Sequence, residues 1–430
     1  MKKNLNILLI LLFIPLAVLR ADEGMWLPSL IGELKIGDMQ EKGFRLSADD
    51  IYQINQAAIT DAVVRFGGFC TGELISAEGL LITNHHCGLG SIQRHSSLDN
   101  NYLSEGFWAM SREEELPNLE LYVRFLREVQ DVTETVLEGV EDDGITEQSR
   151  EQVIDRNIRK LQDEAMDRTQ WKAITKSFYY GSEYCMFLYE EFNDVRLVGA
   201  PPKSVGNFGG DTDNWIWPRH TGDFSIFRIY ADENNNPATY DAGNVPYKPR
   251  NFLPVSAGGV DTGDFTMVCG FPGNTDQYLL SSELEMIIGK SLPAKIRIRT
   301  ERMEVMKNQM DKSDEIQIKY AAKYARVTNA WKKWQGVIKG INKAEAIDKK
   351  KDYEQKFSGW VSQDPAGRSA YDTVLDSLEF FIKMESDLIL AYEYQREILG
   401  AIEILHFAGK FMDMVEAFHN REIGEYYLDN

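Results

Sequence analysis

The stretch "FCTGELISAEGLLITNHHCG", residues 69–88, holds two apolar runs divided by a turn at "AEG" and ends on adjacent histidines beside a cysteine. Its apolar positions recur with a period near two, as do those of "AVVRFGG" just before it, which is the pattern of short antiparallel strands joined by Gly-containing turns. Two side-by-side histidines are more often structural than chemical, although imidazole is a frequent acid, base and ligand. Their neighbours have to decide which of them works.

The totals narrow the field. With 430 residues, 43% of them apolar, the chain can bury at least two cores and is not a disordered protein. Its start, "MKKNLNILLILLFIPLAVLRADEG", has Lys2 and Lys3 before an apolar stretch and Ala21 after it. That reads as a secretory signal peptide over residues 1–21, so the mature protein is expected to be periplasmic or otherwise exported. A retained membrane anchor would need about 20 apolar residues; this stretch is shorter. The formal charge is −20, and −23 once Lys2, Lys3 and Arg20 are removed. So acidic a surface repels phosphate backbones, which argues against nucleic acid as a partner.

Cys70, Cys87, Cys185 and Cys269 allow three disulfide connectivities in an oxidising compartment. Zinc would be the rival use of these residues. No C-x-x-C or H-x-x-x-H spacing occurs, and on a strand His85 and His86 would face opposite sides, so no metal site is expected.

Further along, "TEQSREQVIDRNIRKLQDEAMDRTQWKAITK" lacks Gly and Pro and spaces Val153, Ile154, Ile158, Leu161 and Met166 as a helix does, predicting one helix or a kinked pair over about 146–176. Strand patterns return in "YCMFLYEEF", "DVRLVGA", "DFSIFRIYA" and "DFTMVCGF", with a turn at "ENNNPATY". From Ser281 onward Lys, Glu, Met and Ala dominate at helical periodicity. The expected organisation is therefore a β domain over residues 22–275 and a helical domain over 276–430, which runs to the end of the chain without a closing signal and is expected to be truncated.

The order Cys, strand, turn, strand, His, Cys is that of a trypsin-like first barrel. A Cys70–Cys87 disulfide would staple adjacent strands and fix the loop holding the histidine, worth roughly 3 kcal/mol in the chain-entropy account. This selects His86, beside Cys87, as general base and leaves His85 packed on the other side. Such a base needs a carboxylate to hold its tautomer. "TGDF" occurs twice, at Asp223 and Asp264. Asp223 opens the alternating strand "DFSIFRIY" and is the choice, whereas Asp264 is read as a turn residue at the head of a second barrel. The nucleophile is missing: no G-x-S-G occurs, and Ser256 in "PVSAGG" and Ser358 in "KFSGW" lack the glycine two residues earlier, so both are read as structural. Either the scaffold is inactive or the serine lies beyond Asn430.

The segments "ADEGMW", "GGFCTGELIS", "ITNHHCG", "APPKSVGNFGGDTDNWIWPRHTGDFSIFRIYAD" and "GFPGNT" resemble the bacterial dipeptidyl-peptidases of serine peptidase family 46. The resemblance implies a β plus α fold: a chymotrypsin-like double β-barrel with a large α-helical domain inserted in the second barrel, here incomplete because family members are much longer and carry their serine in the C-terminal part. It implies an exported serine-type dipeptidyl-peptidase acting on peptides with a free N-terminus, a homodimer, and no metal or organic cofactor. Carried over residue by residue, it assigns His86 as base, Asp223 as its orienting acid, and Asn214, Trp215 and Asn329 as the N-terminus anchor, with Arg219 close by. Without it, Trp215 and Trp217 would be read as core and Asn329 as an exposed helical residue. One branch of the family prefers Asp or Glu as second substrate residue and another prefers apolar residues; "NYLSEGFWAM" and "DVRLVGAPP" look nearer to the acidic-preferring branch. The competing expectations are a non-catalytic peptide-binding protein on the same scaffold and a histidine-ligated metal hydrolase.

Overall fold

The computed structural model describes residues 25–409, apart from 55, 141–145, 274–277, 365 and 367, together with 411, 412 and 415. The expected leader over residues 1–21 and the expected boundary at 275–276 both lie outside the described residues. By its internal contacts the chain divides into one unit of residues 1–60 and 256–268 and another of residues 61–255 and 269–430.

In the first unit the short helices Ile31–Leu34, Ile36–Glu41 and Ala48–Ile51 follow one another. Ser47 and Asp50 form a capping box that starts the last of them: each side chain accepts from the other's backbone N–H, so two otherwise orphaned donors are satisfied together. The rings of Phe44 and Phe265 lie 5.1 Å apart and join the two stretches of this unit.

The second unit is built on an antiparallel sheet. Its strands are β1 (Val63–Phe66), β2 (Cys70–Leu74), β3 (Leu80–Thr83), β4 (Phe107–Trp108), β5 (Leu116–Pro117), β6 (Val123–Asp131), β7 (Lys172–Phe178), β8 (Glu183–Phe192), β9 (Asp194–Ala200), β10 (Ser225–Ala231) and β11 (Val245–Pro246). They are ordered β4-β9-β10-β3-β2-β1-β6-β8-β7, with β5 also on β9 and β11 on β10. Only Asn193 separates β8 from β9. The chain thereby passes from near one end of the path to near the other, and the sheet packs one face on a large core while Tyr184, Met186 and Leu188 of β8 join a second cluster with Ile154 and Ala165. Phe66, Leu74, Leu81, Phe125, Phe192, Leu197 and Phe227, one from each of seven strands, are fully buried in that core. The alternation read from the sequence is this inward face.

Two sequence expectations need correction. The segment "WKAITK" is not helical: the helix runs Glu147–Thr169, Gln170 ends it in the left-handed conformation at φ 62°, and Lys172–Phe178 pairs with β8 as β7. The β-branched Ile174 and Thr175 favour that ladder, and tertiary pairing overrides the absence of Gly and Pro. "DFTMVCGF" is not a strand either. Both edges of β2 are already bonded, to β1 and to β3, so the backbone N–H of Phe271 reaches β2 only through the Thr71 hydroxyl, at 2.8 Å.

From Ser281 onward the described residues are mainly helical, as the periodicity predicts. The main ones are α1 (His85–His95), α2 (Glu147–Thr169), α3 (Leu292–Met310), α4 (Asp314–Lys343), α5 (Ala346–Ser362) and α6 (Val374–Ile398). Ile318 and Ala322 of α4 enter the core of the sheet. The Gln93 amide of α1 clamps the same helix, donating to the Lys319 carbonyl at 2.9 Å and accepting from the Ala322 N–H at 2.8 Å. That clamp fixes the long helix against the short one.

Phe227 is the β10 residue at the centre of this core and packs on Phe66 with ring centroids 4.9 Å apart. Phe227→Ala is expected to destabilise the protein by about 3–5 kcal/mol, from lost burial plus the cavity left behind; urea unfolding measures it.

Candidate functional site

The register between β3 and β10 builds the site. Thr83 stands opposite Ser225, so Asp223, two residues before Ser225, meets the residues that follow Thr83. Asn84 adopts extended backbone and caps α1, whose first turn is His85, His86 and Cys87. The Ser225 hydroxyl donates to the Asn84 carbonyl at 2.9 Å, and the Asn84 amide donates to the Asp223 carbonyl at 3.2 Å. Gly88 lets α1 lie this close to β10, since a Cβ there would stand 2.5 Å from the Ser225 oxygen.

His86 meets Asp223 twice. Its backbone N–H donates to Oδ1 at 3.1 Å, and its ring Nδ1 lies 2.8 Å from Oδ2. The Asp223 carboxylate is 11% exposed and the His86 ring 59%. Burial raises the Asp223 pKa, but the hydrogen bonds from the His86 ring and backbone, the ring's charge and the Arg219 guanidinium outweigh it and hold the carboxyl below its ordinary value. An ionised carboxylate on Nδ1 fixes the proton there and leaves Nε2 as the basic nitrogen. Arg219 stands 4.0 Å from the same Oδ2.

His85 and His86 are not on opposite faces of a strand but on the first turn of a helix, about 100° apart. His86 faces outward while His85 is 2% exposed. Cys70 and Cys87 are disulfide-bonded. The bond does not staple adjacent strands: it ties the head of β2 to the first turn of α1, directly beside His86. Cys185 and Cys269 are free thiols. Cys70, His86 and Cys87 bring their ligand atoms within 4.8 Å of one another, but the two sulfurs are bonded together and offer no thiolate to an ion.

A second cluster contains Asn214, Trp215 and Asn329. The Asn329 side-chain oxygen accepts from the Asn214 amide at 3.0 Å and from the Trp215 indole N–H at 3.0 Å, and the indole also reaches the Asn329 carbonyl at 3.1 Å. Asn329 lies on α4, so a helix residue meets a loop residue 115 positions away in sequence. Trp215 and Trp217 are not core: they are 52% and 92% exposed. Two contacts have no signal in local sequence, namely Lys333, 5.9 Å from the Trp215 ring centroid, and the Gln93 clamp. Lys333 could have been found only as the residue one helical turn after Asn329. Ser358 donates to the Glu354 carbonyl within α5, Ser256 is an exposed residue just before a turn, and the Asp264 carboxylate accepts from the Asp261 N–H in a turn.

The profile of the family described as Peptidase S46 matches residues 21–426. An Asp/Glu-specific dipeptidyl-peptidase of Capnocytophaga gingivalis is 44% identical over 413 residues, covering 95% of this chain and 58% of that protein. Dipeptidyl-peptidase 7 of the same organism is 39% identical over 404 residues, covering 94% and 56%. The crystal structure of Porphyromonas endodontalis DPP11 in complex with the dipeptide Arg-Glu superposes with a TM-score of 0.82 at 39% identity, covering 89% of this chain and 55% of that one. The chain spans less than three-fifths of the length of each.

Because the Asp223 carboxyl is depressed in the folded protein, its contribution to stability is present above the ordinary Asp range and is lost as pH falls through its lowered value. Asp223→Asn is expected to lower the unfolding midpoint at neutral pH, with wild type and variant converging in acid. A midpoint gap that does not close in acid, followed by urea denaturation at several pH values, would contradict this account.

Proposed function

The chain belongs to the peptidase S46 family, and on that footing we propose that it carries the acid–base pair and the N-terminus anchor of an exported serine-type dipeptidyl-peptidase releasing dipeptides from the N-terminus of peptides. The observation that carries this reading is the His86–Asp223 pair, with Nδ1 occupied and Nε2 open. In the reaction, His86 Nε2 takes the proton of the attacking serine and returns it to the leaving amine, while Asp223 keeps the ring oriented and stabilises the imidazolium.

The serine itself is absent from any G-x-S-G here. In this proposal it belongs to the part of the family fold that the chain does not span, and that part completes a second β-barrel beside the sheet described above. Family resemblance also favours a homodimer.

Asn214, Trp215 and Asn329 form the anchor. The Asn329 side-chain oxygen already accepts two hydrogen bonds, so the oxygen open to a substrate ammonium is that of Asn214, and the Trp215 face adds attraction for a cation. A site that captures the α-ammonium at a fixed distance from the nucleophile cuts after a fixed number of residues. Arg219, on the same loop, is placed to keep Asp223 ionised. A preference for Asp or Glu as second residue is supported by two relatives named Asp/Glu-specific that are each 44% identical, although in Porphyromonas gingivalis the Asp/Glu-specific enzyme and dipeptidyl-peptidase 7 match at 40% and 41%; an apolar-preferring type is the alternative. The second reading is a peptide-binding protein that captures N-termini through the Asn214, Trp215 and Asn329 cluster without cleaving them.

In the full gene product, His86→Ala is expected to lower turnover of dipeptidyl substrates by about 10⁴-fold or more, and near-normal turnover would refute the assignment. A product that binds such peptides but never cleaves them would support the second reading. Asn214→Ala should cost about 1.5–3 kcal/mol of affinity for dipeptides with a free amine and nothing for N-acetylated ones, as measured by calorimetric titration.

A further inference from the structure

His85 is among the largest fully buried side chains of the protein, yet the pairing of His86 with Asp223 does not use it. Its ring hydrogen-bonds the Pro201 carbonyl, and its Nε2 has no partner among the described residues. The nitrogen donating to Pro201 is therefore Nδ1, and the ring is the neutral tautomer with a bare Nε2. Gly206 lies flat against this ring: a Cβ on it would stand 2.3 Å from the ring Cδ2 and 2.7 Å from Nε2, so no other residue fits.

Gly206 belongs to the segment that delivers Asp223. The chain leaves β9 at Pro201, forms the short helix Lys203–Gly206, makes an excursion that includes Asn214, Trp215 and Arg219, and returns to Asp223. The excursion closes on itself at a neck. There the Val205 carbonyl accepts from the Gly222 N–H at 3.0 Å and from the Thr221 hydroxyl at 3.2 Å, and the Thr221 hydroxyl accepts from the Phe208 N–H at 3.1 Å. Asp223 is the next residue. His85 thus supports one side of the neck through Gly206, and His86 grips the carboxylate that emerges from the other.

We propose that His85 is a positioning residue, a neutral strut that holds the 203–222 excursion at the height where Asp223 meets His86, and that protonation of His85 releases it. A proton from solvent on Nε2 would place an N–H against the Gly206 backbone with no acceptor and a charge in a dry site. The charged or titratable groups facing the ring are Asp223, which favours that charge, and His86 and Lys203, which oppose it. Burial outweighs Asp223 and keeps the ring neutral below the usual histidine range. The strut does not depend on what substrate the site takes.

Proton and nitrogen NMR on this chain tests the idea through the ring proton that His86 Nδ1 shares with Asp223. In the wild type that downfield resonance should disappear in acid in step with protonation of His85. His85→Asn puts an amide nitrogen where Nδ1 was and removes the basic nitrogen, so the resonance should persist at least a pH unit lower, until Asp223 itself is protonated. His85→Gln puts its amide where Nε2 was, against Gly206, and should lose the resonance at neutral pH with far-ultraviolet dichroism unchanged. The proposal fails if the Asn variant loses the signal at the same pH as wild type, or if a folded Gln variant keeps it. Should the Gln variant not fold, the Asn comparison decides alone.

Discussion

Asp223 is bound twice by one residue, through the backbone N–H and the ring of His86. Those two bonds join positions 137 residues apart, and they exist only because β3 and β10 are neighbours in the sheet with Thr83 opposite Ser225. A slip of one residue in that register would turn the side chains of β10 to the other face of the sheet. Phe227 would leave the core and Asp223 would miss the helix. The same apolar alternation that buries Phe227 and Ile229 therefore also sets the distance between carboxylate and imidazole.

Around this pair the fold spends its rigidity on placement. The disulfide ties the first turn of α1 to the head of β2, Gly88 lets the helix settle on β10, and Gln93 clamps α4 from the same short helix. The last contact links the two clusters, because α4 carries Asn329 and α1 carries His86. An imidazole–carboxylate pair and an amide-and-indole cluster are thus held on one framework. The dipeptide release proposed for this family member would need such a fixed span between substrate N-terminus and base.

Much of this was legible beforehand, for identifiable reasons. The strands of residues 62–84 announce themselves by their two-residue period, and Asp223 stands out from Asp264 because "DFSIFRIY" follows it with the alternation expected after a triad aspartate. Two expectations failed where pairing partners, not local preference, decided the outcome. "WKAITK" had no breaker to end a helix but found the edge of β8, and "DFTMVCGF" had a strand-like pattern but runs beside β2, which is paired on both sides. Read as strand residues the two histidines would face opposite sides, and read as trypsin-like they would sit in a loop; a helix begins at His85 instead, and its first turn separates the two rings.

Residue order by itself determined the chemistry on offer: a histidine beside a half-cystine, a carboxylate opening a strand, a tryptophan and asparagines in one loop, and no serine in a suitable turn. Those choices are local, written in side-chain type and in the period of apolar positions. Only the tertiary structure decided which groups meet, that Asn329 of a distant helix bonds Trp215, that Cys87 sits on a helix, and that His85 is sealed beneath Gly206. Such contacts depend on strand register and helix packing over separations of more than a hundred residues, and no short stretch of sequence encodes a distance across space.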